Sequence, residues 1–115
     1  MIDLTVIIVT WNARADIDRC LTSIRGAGTV CSMKTVVVDN NSCDGTPDCI
    51  ARAFPWVELV RNAGNAGFAA ANNQVMRRSD SRYVLLLNPD TQVSPGAFVS
   101  KHSLSPFSGF RGLVR

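Results

Sequence analysis

The chain has 115 residues, room for one domain or part of one. With 46% hydrophobic and 18% charged residues it is neither a disordered tail nor a coiled coil, and its longest apolar runs, Val6–Val9 and Tyr83–Leu87, fall far short of the ~20 residues that cross a bilayer. The net charge of +3 sits entirely in Lys101, Arg111 and Arg115, because residues 1–90 hold nine basic and nine acidic side chains; cations so scattered argue against a nucleic-acid binder.

Leu4–Thr10 (LTVIIVT) is an unbroken, largely β-branched run, the pattern of a strand buried on both faces. Ile17, Cys20, Leu21 and Ile24 then fall at i, i+3, i+4 and i+7, one face of a helix ending near Gly26. Lys34–Asp39 (KTVVVD) reads as a second strand, closed by the turn-rich stretch Asn40-Asn41-Ser42-Cys43-Asp44-Gly45. Thr46-Pro47 supplies an N-cap and a first-turn proline for a short helix carrying Ile50 and Phe54, which Pro55 stops. A third strand spans Val57–Arg61. After the loop Asn62–Gly67, a helix from Phe68 to Ser79 places Phe68, Ala71, Val75 and Met76 on one face. Tyr83–Leu87 (YVLLL) is a fourth strand, ending at Asn88-Pro89-Asp90, and Ser94-Pro95 can cap one more helix. Beyond Gly96 the periodicity decays, so residues 100–115 read as an irregular surface tail.

This β-α-β-α-β-α-β alternation predicts an α/β fold: a doubly wound, mostly parallel sheet of about four strands with helices on both faces. The start, Met1-Ile2-Asp3, has an acid and no basic region, and the first apolar stretch is too short for a signal peptide. The expected compartment is the cytoplasm, with a peripheral place at the inner face of the membrane as the variant. Cys20, Cys31, Cys43 and Cys49 show no C-x-x-C spacing, and His102 is the sole histidine, so free thiols are expected rather than a metal site or disulfides.

In such sheets ligands bind beyond the carboxyl ends of the strands. The residues there are Thr10-Trp11-Asn12, Asp39-Asn40-Asn41, Asn62 and Asn88-Pro89-Asp90. No G-x-x-x-x-G-K-[ST] occurs and no G-x-G-x-x-G follows the first strand, which removes the P-loop and nicotinamide readings. An aromatic, a lone Asp after the second strand and an acid after the fourth suit a nucleoside diphosphate. Trp11 can lie beside a base. Asp39 can accept from a base N–H or a ribose hydroxyl. Asp90 can hold Mg²⁺ or Mn²⁺ together with substrate phosphates. Each has a structural alternative: Asp39 and Asp90 as turn initiators, Trp11 as a packing anchor, Asp44-Gly45 as a turn, Gly64 and Gly67 as loop hinges. Asn72 shares the buried face with Phe68 and must find partners, in neighbouring backbone or in a bound diphosphate.

Thr10-Trp11-Asn12, Val38-Asp39-Asn40-Asn41-Ser42-x-Asp44-Gly45, Asn65-x-Gly67-Phe68-x-x-x-Asn72-Asn73 and Leu86-Leu87-Asn88-Pro89-Asp90, in this order, resemble the family 2 glycosyltransferases of the GT-A fold, in particular the rhamnosyltransferase-like members. The resemblance covers roughly residues 3–99. It implies strand order 3-2-1-4 and a nucleotide-diphospho-sugar-binding fold, with residues 1–99 as the donor-binding half. A dTDP- or UDP-sugar is the implied ligand, met by Thr10, Trp11, Asn12, Asp39, Asn41, Asn65, Gly67 and Asn72. Asn88-Pro89-Asp90 takes the place of the family's D-x-D, which leaves Asp90 as metal ligand for Mg²⁺ or Mn²⁺. The implied reaction is inverting sugar transfer. The family's catalytic base lies well after this motif, so the chain reads as a truncated half, inactive alone. The alternative is a non-catalytic nucleotide-binding or assembly module completed by a partner chain, and the third reading is an unrelated doubly wound domain. In the order 3-2-1-4 the apolar strand Tyr83–Leu87 is an unguarded edge, which predicts self-association.

Overall fold

The computed structural model describes residues 2–27 and 32–95, and the backbone of 111–114. Four parallel strands, β1 (Leu4–Thr10), β2 (Met33–Asp39), β3 (Glu58–Arg61) and β4 (Tyr83–Leu87), lie in the order β3-β2-β1-β4. The helices α1 (Arg14–Ala27), α2 (Thr46–Ala53) and α3 (Phe68–Arg78) are the crossovers between them. The expected order and the predicted strands are met, with boundaries shifted by one residue at β2 and β3.

The period-2 alternation of the strands sorts the core into two layers. Leu4, Val6 and Ile8 of β1, Val37 of β2, and Leu85 and Leu87 of β4 pack against Ile17, Leu21 and Ile24 of α1 and Ile50 of α2. Ile7, Val9, Val36, Val38 and Val84 point the other way, against Ala71 and Val75 of α3. Every residue of β1 is buried because helices cover both of its faces, which is why its sequence does not alternate with polar residues.

Two charged devices close the β3 side. Glu58 pairs with Lys34 at 2.8 Å and with Arg78, and these cations, Lys34 foremost, hold its carboxyl below the usual range. Arg61 reaches Asp48 of α2 at 3.0 Å. Charged side chains at an edge strand discourage pairing with another sheet. At the α3–β4 joint a hydroxyl chain has a fixed direction. Ser81 donates to the Tyr83 carbonyl (2.9 Å), so Ser79 donates to Ser81 (3.0 Å) and Thr5 to Ser79 (3.2 Å).

Three expectations are corrected. The apolar strand Tyr83–Leu87 is not an open edge: β5 (Arg111–Val114) pairs with it antiparallel, Val84 opposite Leu113 and Leu85 opposite Gly112. Residues 111–114 are therefore extended within the stretch expected to be irregular. The unmet backbone groups of β4 are satisfied inside the chain, which removes the reason for self-association through that edge. Phe68 does not share the buried face of α3. It is 51% exposed, while Ala71 and Val75 of the same helix are buried against the sheet. Thr46 lies inside α2 rather than capping it; the cap position is Gly45, with φ 85°. The helix expected after Ser94-Pro95 lies outside the described residues. Cys20, Cys43 and Cys49 are free thiols, as expected, and Cys31 is outside the described residues. Among the described residues no helix is long and apolar enough to cross a membrane.

Leu21 is fully buried between α1 and the sheet, so Leu21→Ala is expected to cost about 3 kcal/mol in urea unfolding, whereas the exposed neighbour Thr22→Ala stays within about 0.5 kcal/mol.

Candidate functional site

The carboxyl ends of the strands carry two hydrogen-bonded assemblies, one on each side of the sheet. The side-chain alternation of β2 separates them. Asp39 continues the Thr35-Val37 face, toward α1 and α2, and Asn40 continues the Val36-Val38 face, toward α3.

On the α1–α2 side Asp39 is 1% exposed and takes three hydrogen bonds from within the chain. Thr10 Oγ1 donates to its Oδ1 at 2.7 Å, Ser42 Oγ donates to the same oxygen at 2.7 Å, and the Ser42 N–H donates to Oδ2 at 2.9 Å. Losing one hydrogen bond to a buried carboxylate of this kind costs about 2 kcal/mol. The loop after β1 is sewn to the loop after β2 by further bonds. The Asn12 N–H donates to Ser42 Oγ at 2.8 Å, and Asn12 Oδ1 accepts from the Cys43 N–H at 2.8 Å. Asp44 serves two helix starts at once: Oδ2 accepts from the Arg14 N–H of α1 (3.0 Å), and Oδ1 from the N–H (3.1 Å) and hydroxyl of Thr46 in α2. Burial works to raise the Asp44 carboxyl, but the Thr46 hydroxyl and the backbone N–H donors outweigh it and hold the group below its usual range. Asn12 (φ 51°) and Asn41 (φ 67°) both adopt the left-handed conformation here, which asparagine tolerates better than other side chains. Trp11, between the two loops, is 57% exposed.

On the α3 side a relay of amides reaches from the helix to the strand end. Asn40, 2% exposed, donates from Nδ2 to the Gly67 carbonyl at 3.1 Å. Its Oδ1 accepts from Asn62 Nδ2 at 2.9 Å. Asn62 and Gln74 form a reciprocal pair, Nδ2 to Oε1 at 2.8 Å and Nε2 to Oδ1 at 3.1 Å. Asn65 Oδ1 accepts from the Gly67 N–H at 2.9 Å, and Gly67 itself has φ 86°. Asn72, one turn into α3, is 3% exposed; Nδ2 donates to the Phe68 carbonyl at 3.0 Å, while Oδ1 has no partner. A carbonyl can only accept, so the amide cannot be turned over. The unmet group is an acceptor, and it calls for a donor.

Beyond β4, α1 holds the turn that carries Asp90. The Val93 N–H donates to Ser23 Oγ at 2.9 Å, Val93 is buried, and the Thr91 N–H closes the turn on the Asn88 carbonyl at 3.0 Å. Cys20 lies beneath. Burial, with the Asp90 charge added, pushes its thiol up to about 12, so it stays a protonated donor. Asp90 itself is exposed. β1 separates β2 from β4, so about 10 Å of strand spacing lies between Asp39 and Asp90 on the same edge.

Among the described residues no three His, Cys, Asp or Glu side chains come together. Asp39 is occupied by Thr10 and Ser42, and the exposed Asp44 by the starts of α1 and α2, which leaves Asp90 as the exposed carboxylate beyond β4. One carboxylate does not cage a divalent cation, but it is enough for an ion that is also held by substrate phosphates.

Thr10, Asn12, Asp39 and Asn41 thus belong to one stitched pair of loops. Asn65 and Gly67 join them through Asn40 and Asn62, Asn72 lies one turn below, and Asp90 stands across β1. Sequence reasoning missed three working parts. Ser42, three residues after Asp39, has the spacing of a side-chain-to-backbone turn and was findable. Asn40 could be assigned to the opposite face from the strand period. Gln74, exposed and twelve residues from Asn62, carries no local signal.

The family profile described as "Glycosyl transferase family 2" matches residues 5–102. N-acetylglucosaminyl-diphospho-decaprenol L-rhamnosyltransferase of Mycobacterium tuberculosis is 29% identical over 105 residues, which cover 82% of this chain and 34% of that protein. This chain therefore spans about a third of the length of the curated relatives it matches. The mannosyltransferase PcManGT of Pyrobaculum calidifontis, solved with GDP-Man and Mn²⁺, superposes with a TM-score of 0.70 at 27% identity, over 82% of this chain and 29% of its own. TarS 1-349 of S. aureus, solved with UDP-GlcNAc, gives 0.71 at 21% identity, over 82% and 28%; that likeness is one of fold.

Asp44 supplies a further test. Because its folded carboxyl titrates below the unfolded one, its stabilisation is complete above about pH 4 and is lost as pH falls through the depressed value. Asp44→Asn is expected to destabilise the chain at pH 7, and in thermal melts the gap to wild type narrows as pH falls below the range of an unfolded carboxyl.

Proposed function

The chain belongs to glycosyl transferase family 2, and from that membership we propose that it is the donor-binding part of an inverting glycosyltransferase that takes a dTDP- or UDP-sugar. The observation that carries this is the convergence of four polar segments, after β1, β2, β3 and β4, on one edge of one sheet, the first three joined by hydrogen bonds.

In this reading the nucleotide meets Thr10, Trp11, Asn12, Asp39, Asn41, Asn65, Gly67 and Asn72. The exposed Trp11 ring gives the base an apolar face. Asp39 shapes the floor through Thr10 and Ser42 and retains acceptor capacity on Oδ2, which takes one hydrogen bond from within the chain. Asn72 Oδ1 accepts from the base imide or a ribose hydroxyl, and so loses its unmet state on binding. Asp90 is the residue that would hold Mg²⁺ or Mn²⁺ against the diphosphate. Such an ion, when bound, neutralises charge on the departing group. The mycobacterial relative is named for rhamnosyl transfer to a sugar carried on diphospho-decaprenol, which supports a place in polysaccharide or cell-wall assembly, with work at the inner face of the membrane.

A second reading is favoured by the engagement of Asp39 and Asp44 in hydrogen bonds within the chain, which leaves neither free to take the proton of an acceptor hydroxyl. Alone, the chain would be a nucleotide-binding module completed by a partner.

Titration calorimetry with UDP and dTDP, with and without Mn²⁺, is expected to show binding that Mn²⁺ strengthens. Asp90→Asn should abolish the Mn²⁺ effect and leave metal-free binding in place. Asn72→Ala should weaken binding about tenfold, since it removes the buried acceptor that has no partner; it also removes the Nδ2 bond to the Phe68 carbonyl, so affinity is compared at a temperature where the variant is fully folded. No heat from either nucleotide, with or without the ion, overturns the proposal. Donor hydrolysis or transfer by the chain alone would dismiss the second reading.

A further inference from the structure

We propose that Gln74, an exposed residue on the body of α3, is a positioning residue for nucleotide binding, acting through Asn62 and Asn40 on the start of the helix. The inference rests on the donor-binding reading above, in which the loop Asn65–Gly67 and Asn72 face the nucleotide.

The relay has one possible hydrogen-bonding pattern, and its far end dictates it. The Gly67 carbonyl can only accept, so Asn40 turns Nδ2 toward it at 3.1 Å. Asn40 Oδ1 then faces Asn62, which has to present Nδ2 at 2.9 Å. That leaves Asn62 Oδ1 outward, where it needs a donor, while the second N–H of Asn62 needs an acceptor. Gln74 supplies both, Nε2 at 3.1 Å and Oε1 at 2.8 Å. A side chain with neither group, or with an acceptor in both places, leaves the relay unfinished at its solvent end.

The loop between β3 and α3 has little else to fix it. Residues 63–70 are all exposed, and the Gly67 cap makes no side-chain hydrogen bond to the helix. What holds the loop is the Asn62 N–H on the Asp39 carbonyl (2.8 Å), the Asn65 Oδ1 contact with the Gly67 N–H, and the amide relay. Gln74 therefore governs where Gly67 and the first turn of α3 stand relative to the end of β2. Asp39, the neighbour of Asn40, reaches the opposite loops from that same strand end. The two sides of the nucleotide site are thereby set against one common reference, and Gln74 closes the looser side.

The test uses the full chain with Gln74→Met, which keeps the length and removes both polar groups, and Gln74→Glu, which keeps the acceptor for Asn62 Nδ2 and removes the donor. Because the residue is exposed, both variants should melt within about 3 °C of wild type. Two readouts are taken: hydrogen exchange of the Ala71 and Asn62 amides without ligand, and affinity for UDP and dTDP with Mn²⁺. The expected order in both is wild type, then Glu, then Met, with Met binding the nucleotide about threefold to tenfold more weakly and its amides exchanging faster. If wild type binds and Gln74→Met binds equally well, this inference falls and the donor reading stands. If wild type binds neither nucleotide, the donor reading falls and takes the role of Gln74 in binding with it. If exchange at Ala71 and Asn62 is unchanged in Gln74→Met, the relay does not control the helix start, and the inference is overturned whatever the affinities.

Discussion

Everything at the candidate site depends on a strand that places successive side chains on opposite faces. At the end of β2 this puts a buried carboxylate, Asp39, on the α1–α2 side and a buried amide, Asn40, on the α3 side. The carboxylate gathers donors: the Thr10 hydroxyl, the Ser42 hydroxyl and the Ser42 N–H. The amide bridges an acceptor and a donor, the Gly67 carbonyl and Asn62 Nδ2. Two residues of different chemistry thus organise the loops above both layers of the molecule, and neither needs to be exposed to do so. A shift of one residue in the register of β2 would send each to the wrong face. The seven parallel pairs with β1, from Leu4–Met33 to Thr10–Asp39, prevent that.

The fold was largely legible because the strands are covered on both faces. Runs such as LTVIIVT and YVLLL cannot be confused with half-exposed strands, and their spacing by helical patterns leaves few topologies open. The errors occurred where local pattern and tertiary position part company. Phe68 fits the apolar stripe of α3 by spacing, yet it is exposed and Ala71 and Val75 carry the contact with the sheet. Tyr83–Leu87 looked like an edge because Arg111–Val114 carries no periodicity of its own; a short strand that borrows its order from a neighbour leaves little trace in sequence.

The site was legible in part for the same reason. Which residues stand at the strand ends follows from strand boundaries, so Thr10, Asp39 and Asp90 could be named. Which way they face, and what they hold, depends on partners about thirty residues away in the case of Asn12 with Ser42 and Arg14 with Asp44. Asp39 is the clearest example. Its place after β2 follows from the strand boundary, whereas the three hydrogen bonds that hold it from within the chain come from tertiary partners and a turn. Family membership gives these placements their meaning, and the chain spans about a third of the length of the curated relatives it matches.

Asn12 sets a narrow limit on what the loop after β1 can be made of. Its backbone is left-handed, and its side-chain oxygen takes the Cys43 N–H. Glycine at this position would suit the chain path but leave that exposed N–H to water and give up the bridge between the loops. A β-branched residue would fail on both counts, and leucine or lysine would keep neither the geometry nor the acceptor. Aspartate offers both, which makes it the change this loop should tolerate best.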